Sequence, residues 1–191
     1  MIHLQLTMPV IETERLLLRG IELEDASDMF AYYSEPMVVR YLTLVSHTSI
    51  EDTLYMLRTQ VLPYEKRCIP QTWGIVLKEK EKVIGDLSVH TIEDDIGQIG
   101  YVLHHDYGKQ GIMKEALLEL LKVGFHDMGL RRIEAYYEVQ HIRSAKLLHG
   151  LGFKKEGILR QYAKLSDGFY HDMVLVSLLK EEFIEGEKID E

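Results

Sequence analysis

Cysteine, positive charge and long apolar runs are all scarce in this sequence of 191 residues. Cys68 is the only cysteine, which excludes an internal disulfide and suits a reducing compartment such as the cytoplasm. Lys and Arg number 22 against 31 Asp and Glu, and the net charge of −9 disfavours nucleic acid as a partner. No stretch is apolar for long enough to span a bilayer, and the N-terminus lacks the pattern of a signal peptide. We therefore expect a cytoplasmic protein with no membrane partner.

The length suits one domain over residues 1–191, and we find no internal repeat or linker. Apolar residues that alternate with polar ones predict strands, and apolar residues at helical spacing predict amphipathic helices between them. The predicted strands cover 13–19, 72–78, 82–91, 96–103, 131–139, 153–164 and 169–179. The predicted helices cover 23–34, 49–66 and 111–128, with a shorter one that begins at Ser144.

The stretch 96–116 organises the chain, because it contains a strand, a glycine-bearing turn and the start of a helix. Gly108 and Gly111 have no Cβ, so a ligand can approach their backbone closely. The first amides of a helix lack internal partners, and with the helix dipole they favour an anion such as phosphate. Lys109 and Lys114 add positive charge. The turn is therefore a candidate phosphate site, although an ordinary strand-to-helix crossover is the alternative for the loop alone.

Three types of phosphate loop have patterns that this turn could match. A Walker loop needs Ser or Thr after Gly-Lys, and a dinucleotide loop needs three glycines as G-x-G-x-x-G, so neither pattern is met. The turn resembles the pyrophosphate loop of the GNAT acyltransferases, Q/R-x-x-G-x-G/A, which falls on residues 108–113. Gly111 matches the central glycine, whereas Gly108 and Met113 differ from the usual residues.

Other motifs resemble the branch of that family that includes the ribosomal-protein N-terminal acetyltransferases, called RimJ/RimL-like. They are a T-E-R-L-x-L-R opening at 13–19 and Glu115-Ala116 after the turn. The pattern N-x-x-S-x-x-L/V/I-x-x-x-x-G-F, followed by E-G and L-R, begins at position 141, where His141 replaces the asparagine. The resemblance covers about residues 12–182. The matching positions of this last pattern are Ser144, Leu147, Gly152-Phe153, Glu156-Gly157 and Leu159-Arg160.

The resemblance implies an α/β (α+β) fold: a single GNAT-type domain with a mixed, splayed sheet of seven strands and about four helices packed on its faces. The sheet of this family opens between the central strand and the strand after the main helix. The first two helices border the acceptor site, where tyrosines could line a pocket, although packing in the core or at its rim is the favoured interpretation of each one. Those tyrosines are Tyr32, Tyr33, Tyr41 and Tyr55.

The resemblance also implies acetyl-CoA as cosubstrate, with its pantetheine arm along the edge of the central strand and its pyrophosphate on the amides of the turn. We expect no metal, because the three acids at 93–95 lack the spacing of a calcium loop. The predicted cofactor-binding residues are Tyr101, Val102, Leu103, Lys109, Gln110, Gly111, Ile112, Met113, Lys114, His141, Ser144 and Leu147.

Ser144 is the predicted catalytic residue, since the resemblance places it where it could hydrogen-bond or protonate the leaving thiolate. Tyr162 is a weaker alternative, and the backbone amide near Leu103 could polarise the thioester carbonyl. Related sequences often have Glu where this chain has Gln98, which cannot accept a proton. The candidates for the general base are His90, His104 and Glu138.

The function implied is direct transfer of an acetyl group from acetyl-CoA to a primary amine, most simply a protein N-terminal α-amine. An α-amine has a pKa of about 7.7–8.0, so a weak base is sufficient to make it neutral. Alternatives are a polyamine or other small amine as acceptor, a CoA-binding module without activity, and a nucleotide site at the same turn. The sequence leaves open whether the chain is a monomer or a homodimer.

Overall fold

A computed structural model describes residues 9–65 and 71–183 of the chain. Cys68 lies outside the described residues, and so does Lys66, which is the last residue of the predicted second helix. The described strands form one mixed sheet in the spatial order β1-β2-β3-β4-β5-β6-β8-β7, and β5 and β6 are its one parallel pair of neighbours. In chain order they are β1 Ile11–Glu12, β2 Leu16–Gly20, β3 Gln71–Leu77, β4 Lys82–Glu93, β5 Ile96–Leu103, β6 Arg132–Glu138, β7 Lys154–Lys164 and β8 Tyr170–Leu179.

The predicted fold class is confirmed, but the predicted number of strands was one too low. The extra strand of the described sheet is β1, in which Ile11 pairs with Leu18 and Glu12 pairs with Leu17 of β2. Two residues are too few to show an alternating pattern, so only pairing with β2 reveals this strand.

The described chain contains six α-helices where about four were predicted. The predicted second helix consists of α3 and α4, joined by the π-helical segment Leu57–Val61, and α2 is one additional turn that begins at Pro36. No helix in the described ranges is both long and apolar enough to cross a membrane. The helices are α1 Ala26–Tyr33, α2 Pro36–Val39, α3 Ile50–Met56, α4 Leu62–Glu65, α5 Ile112–Lys122 and α6 Ile142–Gly150.

Buried side chains form two clusters, on opposite faces of the sheet. The alternation of β4 shows this, because Asp86 accepts hydrogen bonds from Tyr32 and Tyr33 of one cluster whereas the next residue, Leu87, joins the other. The larger cluster contains the apolar face of α5, including the fully buried Leu117 and Leu120. The smaller cluster contains side chains of α1 and α3. The sheet is therefore covered by helices on both faces, which fixes the positions of the strand ends.

The sheet opens between β5 and β6. These strands pair only over Ile96–Ile99 of β5 and Arg132–Ala135 of β6. Beyond that point, Gly100–Leu103 still pair with β4 and Tyr136–Glu138 still pair with β8, but not with each other. We call the space between these two unpaired segments the wedge. Its geometry is the splay that the sequence resemblance implied.

Candidate active site

The turn after β5 presents its backbone to solvent. Gly111 has φ +76° and precedes α5 as its N-cap residue, a left-handed conformation that favours glycine. A Cβ at this position would find only the guanidinium of Arg15 nearby, at 3.6 Å, so the space in front of the amides is open. Gly108 has an ordinary φ of −65°, so its backbone conformation does not require glycine.

The side chains of the predicted turn residues divide between solvent and core. Lys109, Gln110 and Lys114 are exposed beside Gly111, whereas Ile112 and Met113 are buried in the larger core cluster. The last two can therefore offer only backbone groups to a ligand. Because α5 has 11 residues and its first turn follows Gly111 directly, its unpaired amides and positive dipole end lie at this exposed corner.

Two motifs that are distant in the sequence, the opening at 13–19 and Glu115-Ala116, meet beside the turn. Arg15 Nε donates to Glu115 Oε2 at 2.7 Å, and Arg15 Nη1 donates to the carbonyl of Gln110 at 2.9 Å. Thr13 Oγ1 donates to Glu115 Oε1 at 2.5 Å. Partial burial opposes ionisation of Glu115, but the hydrogen bonds from Thr13 and Arg15 outweigh it and lower its pKa. This contact fixes the start of β2 against the turn, and the sequence alone offered only the opposite charges as a signal for it.

The segment Tyr101–Leu103 forms one edge of the wedge. On one side these residues pair with Leu87, Asp86 and Gly85 of β4. On the other side they have no strand partner within the described ranges, so this edge offers backbone donors and acceptors to an extended ligand.

Ser144 lies at the wedge, in the first turn of α6. Its side chain is buried, and its Oγ lies 2.6 Å from the hydroxyl of Tyr101, so a residue of α6 contacts a residue of β5. Burial raises the pKa of Tyr101 to about 12, which keeps the phenol protonated at neutral pH. The structure therefore brings together two of the predicted site residues.

The other two predicted residues of this region belong to α6 and its N-cap. His141 is the N-cap residue, and its ring stacks on Tyr41 with ring centroids 4.3 Å apart. Burial lowers the pKa of His141 to about 4, so its imidazole is neutral at physiological pH. Leu147 is half-buried and packs against the larger core cluster. Both residues hold α6, and with it Ser144, in place.

The candidate bases belong to three different elements. His90 is an exposed residue of β4, and His104 follows β5. Glu138 ends β6 at the wedge and is only 2% exposed; it accepts the backbone N–H of Gln140 at 2.6 Å. Tyr162, the alternative acid, is 53% exposed and stacks on Tyr136.

Glu35, His104 and His105 form the cluster of possible metal ligands among the described residues, with ligand atoms within 4.8 Å of one another. The backbone N–H of Asp106 donates to Nδ1 of His104 at 3.2 Å. That bond places the proton of a neutral imidazole on Nε2, the nitrogen that lies 3.8 Å from Glu35. A protonated nitrogen cannot bind a metal, so this arrangement fits a hydrogen-bonded cluster better than a metal site.

Tyr32 and Tyr33 do not line an open pocket. Both hydroxyls donate to Oδ2 of Asp86, at 2.9 and 2.8 Å, inside the smaller core cluster. Burial raises the pKa of Asp86 to about 6, although the two phenols oppose that rise. Of the four tyrosines considered for a pocket, these two show the favoured alternative of core packing, because α1 packs that face against β4.

A groove of about 420 Å³ lies between α2 and the turn that joins β7 to β8. The backbone N–H of Ser166 donates to the carbonyl of Leu42 at 2.9 Å, which fixes that turn against the chain after α2. Arg40 lines the groove, and the next residue, Tyr41, stacks on His141. The α2 groove is therefore connected through side-chain contacts to the helix that carries Ser144. It is lined by Pro36, Met37, Arg40, Val45, Ser46, Ser166 and Asp167.

Comparisons with known proteins agree with this geometry. The model of the acetyltransferase (GNAT) domain family matches residues 15–154. A Bacillus licheniformis protein named uncharacterized N-acetyltransferase p20 is 36% identical over 181 residues, which cover 92% of this chain and 99% of that protein. The ribosomal protein uS5-alanine N-acetyltransferase of Escherichia coli is 26% identical over 92% of this chain and 93% of that enzyme. The structure of a ribosomal-protein-S5-alanine acetyltransferase from Vibrio fischeri superposes with a TM-score of 0.80 at 27% identity, covering 92% and 99% of the two chains. The chain belongs to the GNAT acetyltransferase family.

Proposed function

We propose that this GNAT acetyltransferase moves the acetyl group of acetyl-CoA to the α-amine at a protein N-terminus. The observation that carries the proposal is the pairing of β5 with β6, which stops at Ile99 and leaves the end of β5 unpaired on that side before the exposed turn with the left-handed Gly111. An unpaired strand edge beside an anion-binding helix start suits a ligand with an amide-containing arm and a diphosphate.

In the proposed complex, the pantetheine arm lies along Tyr101, Val102 and Leu103, and the pyrophosphate contacts the backbone from Lys109 to Lys114. The open space in front of Gly111 supports this placement, because a side chain there would block the phosphate oxygens. The exposed ammonium groups of Lys109 and Lys114 add attraction for the phosphates. His141 and Leu147 support the helix that faces the thioester.

The proposed reaction is a direct attack of the neutral amine on the thioester carbonyl. A backbone N–H near Leu103 polarises the carbonyl oxygen. Ser144 stabilises the sulfur as the carbon–sulfur bond breaks, and its burial at the wedge makes its hydrogen bond stronger than it would be in water. The base that accepts the amine proton is one of the three candidates His90, His104 and Glu138.

Three features favour a protein N-terminus as acceptor. The relative from Escherichia coli is named for acetylation of an alanine of ribosomal protein uS5. An α-amine is partly neutral at cellular pH, so no strong base is required. The α2 groove leaves room for a chain end, and its lining includes Asp167, whose carboxylate is paired with His171 at 2.9 Å.

Acetyl transfer to a matched panel of acceptors tests the proposal. Thiol release from acetyl-CoA is measured with a peptide that has a free α-amine, the same peptide with a blocked α-amine and a free lysine, and spermidine. We expect release with the first peptide to exceed that with the other two acceptors, and mass spectrometry to place the acetyl group on the terminal nitrogen.

Other outcomes of that panel would overturn the proposal in distinct ways. Faster transfer to spermidine or to the lysine would show a different acceptor class. Tight CoA binding without acceptor-dependent release would indicate a CoA-binding module. Equal protection against heating by ATP and CoA would indicate a general nucleotide site at the turn.

A further inference from the structure

We propose that Tyr101 is a positioning residue for acetyl transfer: its phenol donates to Ser144 Oγ and so directs the serine proton toward the sulfur that leaves in the wedge. This inference rests on the proposed function, because it assigns a second residue to the stabilisation of the leaving thiolate.

The hydrogen bond joins two separate elements at the open end of the sheet. Tyr101 lies on β5 where this strand has lost its pairing with β6, and Ser144 lies in α6, which follows β6. Their oxygens are 2.6 Å apart, a short distance for two hydroxyls, although 43 residues separate them in the chain. The serine hydroxyl is therefore fixed from the β5 side of the space that the thioester occupies in the proposed complex.

The direction of donation follows from the two hydroxyls. Burial raises the pKa of Tyr101 to about 12, so its proton stays on the phenol at neutral pH. A phenol is a stronger hydrogen-bond donor than an aliphatic alcohol, and a serine oxygen has two lone pairs with which to accept. When Tyr101 donates, the proton of Ser144 remains free for another acceptor. The same bond polarises the serine and strengthens that second donation, as in other hydrogen-bond chains.

The reaction step balances without a proton leaving Tyr101 or Ser144. The amine nitrogen forms a bond to the carbonyl carbon, the carbon–sulfur bond breaks, and its electron pair goes to sulfur. The new amide loses its extra proton to the general base. A thiol with a pKa near 8.5 is a stronger acid than either hydroxyl, so the thiolate is held by hydrogen bonding and is not protonated by this pair.

Tyr101→Phe isolates the hydroxyl, because the ring packs against the larger core cluster and remains in the variant. We expect kcat for acetyl transfer to fall about tenfold, the effect of one hydrogen bond of roughly 1.4 kcal/mol, with little change in KM for acetyl-CoA. We expect Tyr101→Phe combined with Ser144→Ala to be no slower than Ser144→Ala alone, because Tyr101 acts through the serine.

A better leaving group separates this role from a structural one. In acetyl-seleno-CoA the leaving selenolate is far less basic than a thiolate and needs less stabilisation. We therefore expect the defects of Tyr101→Phe and Ser144→Ala to shrink with the selenoester under single-turnover conditions. Tyr32→Phe is the matched control, since it removes a buried hydroxyl that bonds to Asp86 under α1. It should lower thermal stability and leave the ratio of the two substrates unchanged.

The outcomes distinguish this inference from the proposed function. A wild-type enzyme that releases no thiol with any acceptor overturns both. An active wild type with an unchanged Tyr101→Phe variant overturns only the inference. A defect of Tyr101→Phe that is equally large with the selenoester, or that adds fully to that of Ser144→Ala, also contradicts it.

Discussion

Two clusters of hydroxyl groups, one buried and one partly buried, use similar chemistry on two parts of the same sheet. In the first, Tyr32 and Tyr33 donate to Asp86 on β4, a residue paired with Gly74 on one side and with Val102 on the other. In the second, Tyr101 contacts Ser144 across the wedge. The strand that carries Tyr101 is paired on one side alone at that point.

The difference shows that strand pairing decides what a buried polar group can do in this fold. Asp86 lies between two paired neighbours and beneath α1, and its two partners are 0% and 5% exposed, so a ligand has no path to it. Its hydrogen bonds serve stability and the placement of α1. Tyr101 borders an unpaired edge, so a ligand can reach the pair it forms with Ser144. Variants of Asp86 and its two tyrosines should therefore change stability, whereas variants near the wedge should change ligand binding or acetyl transfer.

The largest effect is expected at the turn beside the open region. Gly111→Asp should weaken CoA binding about 100-fold, or roughly 2.8 kcal/mol, because it places a carboxylate among the phosphate oxygens. Isothermal titration calorimetry measures this change. Gly111→Asn is the matched control, since it has the same shape and the same left-handed backbone strain without the charge. An affinity lost equally in both variants would contradict the charge argument, and an unchanged affinity would refute the assignment of the turn.

Changes in the cluster of Tyr32, Tyr33 and Asp86 should alter the free energy of unfolding and leave CoA affinity unchanged. The pKa of Asp86 is about 6 in the folded chain and about 3.9 in an unfolded one, so the folded chain holds the proton more tightly. The stabilising effect of this proton is fully present below the unfolded pKa of about 3.9 and is lost as pH rises through the folded pKa of about 6. It amounts to about 2–3 kcal/mol, from two pKa units at 1.36 kcal/mol each.

Asp86→Asn tests that pH dependence. The variant keeps an acceptor for the two phenols but does not titrate, so the difference in unfolding free energy between wild type and variant should change by about 2 kcal/mol between pH 4 and pH 7. Denaturant titrations across this range measure the difference. We expect an unchanged affinity for CoA. The prediction would be wrong if the difference in unfolding free energy stayed constant with pH. A large loss of CoA affinity would show that the Asp86 cluster also affects ligand binding, against the proposed difference between the two clusters.

The smallest effect on stability is expected at the ion pair that joins the start of β2 to the first turn of α5. Arg15 and Glu115 form a partly exposed pair, so we expect a coupling of about 0.5–1 kcal/mol in a double-mutant cycle with Arg15→Gln and Glu115→Gln. Denaturant unfolding measures the coupling, which should decrease with salt. The exposed pair of Arg131 and Asp95 serves as a comparison with smaller coupling. A coupling above that range would show that the turn depends on β2 for its stability.

Much of the secondary structure could be predicted because its signals are local. The alternation of Ile133, Ala135 and Tyr137 predicts β6, and the apolar repeat after Gly111 predicts α5. These patterns lie within one element, where residue spacing alone decides which face is buried. The sequence did not predict the two-residue β1 or the π-helical segment that divides the second helix, because neither has a distinctive periodic spacing of apolar residues.

Contacts between residues that are distant in the chain could not be predicted from one sequence. Arg15 and Glu115 were both found in motifs, yet nothing in either motif showed that they form an ion pair. For Tyr33 the sequence favoured packing in the core or at its rim over a pocket, but it did not identify the partner, Asp86, against which the hydroxyl is buried. Such contacts depend on how helices pack on the sheet, and side-chain spacing along the chain does not encode that.

The sequence by itself determined the strand–turn–helix unit, the glycines in its turn and the order of elements around it, whereas the structure showed that Gly111 is left-handed and Gly108 is not. Each of the first three follows from the backbone freedom of glycine and from apolar periodicity over a few residues. The tertiary structure alone decided where β5 separates from β6 and which side chains meet at that opening. The separation depends on two strands whose paired residues are 36 positions apart in the chain, and on the helices that hold them, so it exists only after the whole sheet has assembled.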